Sequence, residues 1–190
     1  MKKTINLICL LLLFTAIPVL AQTVEKEQSK SKTVEFSKKS GAFLKKEFQE
    51  LGSFSGIKFT NIYFTDVLTN EKASALKVET SYYSSSLGST EYSGTLDPDE
   101  LDACLKCLNH IKTNCIGTTP ELYTEMIYKT RDGLSIGAYY SVEDNKKQQW
   151  VVFIQPESYT YKSLKSIKEE DLDKIITVIE QSKQILLLKK

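Results

Sequence analysis

From Gly56 onward the hydrophobic period of this chain is two, and the order of segments that follows then recurs, a pattern that constrains the fold more than any single motif. Residues 57–67 (IKFTNIYFTDV) alternate as a strand, 69–72 read as a turn, and 75–83 (ALKVETSYY) form a second strand with Leu76, Val78, Thr80 and Tyr82 on one face. A Ser/Gly loop at 84–89 leads to a short third strand over 90–96. Asp97-Pro98-Asp99-Glu100 then reads as a helix start, with Asp97 as cap, Pro98 at the first helical position and Glu100 closing a capping box. Leu101, Cys104, Leu105, Leu108 and Ile111 follow as its buried stripe.

The second half runs through the same order. Residues 122–130 read as a strand, Arg131-Asp132-Gly133 as a tight turn, and 134–142 as a strand with Leu134, Ile136, Ala138 and Tyr140 on one face. Residues 150–154 form a third, nearly continuous apolar strand. Ser166 and Glu169 make another capping box, opening a helix with the stripe Leu172, Ile175, Ile176 and Ile179. Fragments match as well: Ile62-Tyr63-Phe64-Thr65 against Ile127-Tyr128-Lys129-Thr130, and Tyr82-Tyr83-Ser84 against Tyr139-Tyr140-Ser141. Duplication and convergence on a common strand grammar both account for this. The expected class is α+β: one antiparallel sheet from two β-β-β-α pseudo-repeats, about 57–112 and 122–188, with both helices on one face.

Upstream of this domain, Lys2 and Lys3 precede the apolar run 5–14, and the segment closes on Val19-Leu20-Ala21. Residues 1–21 therefore read as a secretory signal peptide cleaved before Gln22, and the protein as exported, periplasmic or secreted. The run is shorter than the roughly 20 apolar residues of a spanning helix, so no transmembrane span is expected after cleavage. Residues 22–39 are charged and polar and read as a flexible linker, which leaves 40–190 as a single domain. Within it, Phe43, Leu44, Phe48 and Leu51 stand at helical spacing, with a strand over 40–51 as the alternative.

Charge bounds the partners. Twenty-five basic residues oppose 24 acidic ones, and without Lys2 and Lys3 the balance is 23 against 24. Arg131 is the only arginine, whereas phosphate and base recognition lean on arginine forks. A nucleic-acid partner is excluded on both grounds.

Three cysteines remain beyond the leader, whose Cys9 lies too far upstream of the cleavage site to form a lipidation box. Cys104-x-x-Cys107-x-x-His110-x4-Cys115 has zinc-ligand chemistry, but the helical steps between Cys104, Cys107 and His110 spread those side chains over roughly 120°. The expected use is a Cys107–Cys115 disulfide tying the helix end to the next loop, with Cys104 buried and no metal. A redox role needs a thiol in the first turn of a helix, and this pair sits deeper.

For hydrolysis the sole histidine, His110, would have to serve as base. Gly52-Ser53-Phe54-Ser55-Gly56 has phenylalanine where a nucleophile elbow needs serine. The clusters Asp97/Asp99/Glu100 and Glu169/Glu170/Asp171 stand where helix starts call for negative charge. Alternation turns Tyr83 and Tyr139 away from the helices, where aromatic rings on a rigid sheet could meet a peptide or sugar, although tyrosine is also an ordinary strand former. The expectation is a non-enzymatic exported binding module, without cofactor, whose open sheet face meets a protein or glycan. The alternative is a small exported enzyme or metal-binding protein centred on Cys107 and His110.

Overall fold

The computed structural model describes residues 30–86, 88–141 and 149–188. The signal peptide assigned to 1–21 and the linker residues 22–29 lie outside the described residues. The class is α+β, as the alternation predicts, but the strands form two four-stranded antiparallel sheets where one was expected. Alternation encodes which face a side chain takes. It does not encode which strand lies alongside.

The first sheet is a meander of β1 (Leu44–Phe54), β2 (Ile57–Asp66), β3 (Lys72–Ser84) and β4 (Gly88–Leu96). Phe54 pairs with Ile57 across a two-residue turn in which Ser55 (φ 51°) and Gly56 (φ 73°) are both left-handed, the conformation that matches strand twist. Of the two readings of residues 40–51, helix and strand, the strand is the one formed, as β1. Those four residues mimic a helical stripe, yet ten registered pairs with β2 hold this stretch extended, and Phe48 is left 63% exposed. The register slips between Glu50 and Gly52, so that Leu51 is the extra residue of a bulge.

The second sheet is the meander β5 (Glu125–Lys129), β6 (Ser135–Ser141), β7 (Gln149–Gln155) and β8 (Lys165–Ile167). Helix α1 (Lys32–Ser37) precedes the first sheet, α2 (Leu101–His110) joins the sheets, and α3 (Glu169–Leu188) closes the described chain. Residues expected to be linker thus form α1, capped by Ser31, whose hydroxyl accepts from the Val34 N–H. The expected cap Ser166 lies instead in β8.

The two predicted stripes are the core. Leu101, Cys104, Leu108, Leu172, Ile175 and Ile179 join Phe59, Leu76 and Val78 of the first sheet and Ile136, Ala138 and Ile154 of the second in one buried cluster. α3 packs on β1, β2 and β3, whereas α2 packs on β5 and β6 and on α3. Each helix therefore lies against the sheet of the other half. The helices run antiparallel, because Lys183 at the end of α3 reaches Asp102 at the start of α2, and Lys112 beyond α2 reaches Asp173, each at 2.5 Å. The sheets abut at Gly94, where an added Cβ would stand 2.8 Å from the Pro156 carbonyl and 2.9 Å from the Leu134 Cβ. Asp132 ties the same seam by accepting from the Thr95 N–H at 2.9 Å and its hydroxyl at 2.8 Å.

Candidate functional site

A groove of about 900 Å³ opens on the first sheet. Its floor is three consecutive residues from each of three strands: Glu47, Phe48 and Gln49 of β1; Tyr63, Phe64 and Thr65 of β2; Lys72, Ala73 and Ser74 of β3. Lys32 and Thr33 of α1, with Pro98 and Asp99, form the wall. Pairing puts Glu47 beside Tyr63, Tyr63 beside Ser74, and Thr65 beside Lys72. These side chains share the face on which Asn61 meets α3, so the groove is the part of that face beyond the helix.

The floor mixes polar and apolar surface, and its polar groups are organised by hydrogen bonds. The Tyr63 hydroxyl donates to Gln49 Oε1 at 2.7 Å, and Asn61 connects back to α3 through the Ser182 hydroxyl, which donates to its carbonyl oxygen at 2.6 Å. Amide, phenol, hydroxyl, ammonium and carboxylate groups all reach this surface. Such a mixture suits a ligand that both donates and accepts hydrogen bonds.

The wall is anchored by the only arginine. Asp97, fully buried, accepts from the Lys32 N–H at 2.8 Å, the Thr33 N–H at 3.2 Å, the Ser31 hydroxyl at 3.1 Å and the Arg131 guanidinium at 2.9 Å. Asp97 was expected to cap α2. Its carboxylate instead holds the start of α1, while Glu100 supplies the half of the capping box that is formed, accepting from the Asp97 N–H at 2.9 Å. Glu100 also accepts from the Arg131 N–H at 2.8 Å. Asp99 receives Arg131 and, at 2.7 Å, the Lys32 ammonium. Hydrogen bonding from Arg131 is the main reason its carboxyl is held down to about 2, with Lys32 adding to it.

The residues singled out from sequence lie elsewhere. Tyr83 is 75% exposed on β3, and Tyr139 is half-buried on β6 with its ring centroid 6.0 Å from that of Phe153. Alternation assigned both to the side away from the core, but they stand on different sheets and form no single sheet surface. Cys104, Cys107 and Cys115 are free thiols. The Cys107–Cys115 bridge requires the helix to end between them. Winding continues instead as a π turn over Ile111–Cys115, which separates the pair by about 10 Å of helix axis, more than a disulfide spans. Cys115 is buried with its thiol 3.3 Å from the Met126 sulfur, and burial pushes all three thiols above their ordinary value. His110 is exposed, with the Asn114 amide 3.2 Å from Nδ1. Among the described residues no three His, Cys, Asp or Glu side chains gather as a metal site.

Asp171, read as a helix-start charge, accepts from the N–H and hydroxyl of Ser55 at 3.1 and 2.8 Å and so fastens α3 to the β1–β2 turn. The groove was missed because its lining, polar and apolar together, is assembled from strands that pair only in three dimensions. Its one sequence signal was the tract 72–74 opposite 63–65, readable only once the register is known.

No protein-family model, curated protein or solved structure compared with the chain matches it. No helix among the described residues is long and apolar enough to cross a membrane.

Proposed function

We propose that the chain is an exported, non-enzymatic binding module whose groove on the first sheet takes a hydrophilic partner, an extended protein segment or a glycan. Export rests on the leader-like pattern of residues 1–21. The observation that carries binding is the groove itself: a concavity of about 900 Å³ with a strand-built floor and a wall fixed by the buried Asp97 and its ion pair with Arg131. A rigid floor limits the ordering cost of association. The groove contains neither cysteine nor histidine, and its best-anchored acid, Asp99, is committed to Arg131 and Lys32.

The test is to probe a glycan array and a phage-displayed peptide library with the wild-type protein and with Thr65→Trp, which fills the floor with a good strand former. Ligands retained by the wild type and lost by a variant of unchanged melting temperature support the assignment. Ligands indifferent to Thr65→Trp, or none from either library, overturn it.

A further inference from the structure

We propose that two copies of this chain join edge to edge through β1, antiparallel about a two-fold axis at Phe48, making one continuous sheet from the two four-stranded ones. The starting observation is that β1 is an edge strand of 11 residues and, among the described residues, no strand pairs with its outer side. Such an edge presents a row of N–H and C=O groups to whatever strand can match it. Phe48 stands at the middle of the regular run, 63% exposed, and the bulge that interrupts pairing begins only after Glu50.

Charge selects the second copy and the register. A two-fold axis normal to the sheet keeps every residue on its own face, so only registers that place one residue opposite itself are open. Centred on Glu47, the strands would set two glutamates face to face. Centred on Gln49, each Phe48 would meet a Glu50. Centred on Phe48, the rings stack across the axis, and Lys46 of each copy stands opposite Glu50 of the other on the same face, twice by symmetry. The run Lys46-Glu47-Phe48-Gln49-Glu50 is thus complementary to itself in one antiparallel register.

Present commitments do not stand in the way. Lys46 lies 5.5 Å above the Phe64 ring, and Glu50 sits 3.3 Å from Lys58 in an exposed pair of the kind that contributes little. A strand pairing of this length covers less surface than a standard interface, so the expected dissociation constant is about 10–100 μM.

The experiment is sedimentation equilibrium from about 1 to 300 μM at low salt, on the wild type, Lys46→Glu, Glu50→Lys and an equimolar mixture of the two variants. Each variant alone puts like charges opposite each other and should dimerise at least about tenfold more weakly. In the mixture every contact is again Glu against Lys, so association should return to within about threefold of wild type. Matching circular dichroism melts confirm that the exposed substitutions leave the fold intact. A wild type monomeric at the highest concentration, or a mixture no more associated than its components, overturns the proposal.

Discussion

The Ser182 hydroxyl donates to the Asn61 side-chain carbonyl at 2.6 Å, and both residues are completely buried. This bond joins α3 to the middle of β2, 121 residues earlier, and continues through Asn61 and Tyr63 toward Gln49 in the groove. Ser182→Ala should cost about 1–3 kcal/mol in urea denaturation, because it leaves a buried acceptor unpaired. Adding Asn61→Leu should recover part of that loss, since removing both partners removes the desolvation penalty. A larger loss in the double variant would show that Asn61 acts chiefly through Tyr63.

Acid should loosen the wall of the groove. The Asp99 carboxyl is depressed in the folded chain from 3.8 to about 2, first by its hydrogen bond from Arg131. A depressed carboxylate contributes stability above its unfolded value and loses it as pH falls toward the folded value. Melting temperatures of the wild type should therefore drop between about pH 4 and pH 2, and Asp99→Asn should flatten part of that drop while being less stable at pH 7. Asp171, held low by Lys174 and Ser55, contributes in the same direction.

Cysteine accessibility should separate the three thiols. Cys107 is partly buried, whereas Cys104 and Cys115 are 0% and 1% exposed. Native labelling with iodoacetamide should modify Cys107 first and slowly, because burial raises its thiol above the ordinary range. All three should react after unfolding without reductant. A mass 2 Da lower with only one reactive thiol would instead reveal a bridge.

Gly137 faces Ile127 in the β5–β6 pair, and an added Cβ there would stand 2.2 Å from the Met126 carbonyl. Gly137→Ala should destabilise by about 2 kcal/mol or more, since backbone must move. Gly117→Ala, with open space but φ at +85°, should cost nearer 1 kcal/mol from left-handed strain alone.

Where local pattern and tertiary burial agree, the chain is readable from sequence. Leu101, Cys104, Leu105 and Leu108 are all buried at the positions the helical stripe assigns, and Leu76 and Val78 follow from period two. Three features depend on distant partners and were not legible. α1 forms from a polar tract because Asp97 accepts its first N–H groups from 65 residues away. The spacing left residues 40–51 open between helix and strand, and β2, pairing along their length, decides for the strand β1. The groove belongs to neither element alone, and polar side chains on a paired strand carry no hydrophobic signature.

The placement of each helix on the other half's sheet governs the order in which the fold can close. Phe59, Leu76 and Val78 belong to strands made early, yet α3, which packs on their sheet, comprises the last 20 described residues. The first meander can zip by itself, but its core cannot close until α3, far along the chain, has docked on it. Folding of the first meander thereby waits on α3, and a chain stopped short by even a few turns of that helix would present bare apolar strands to chaperones and proteases.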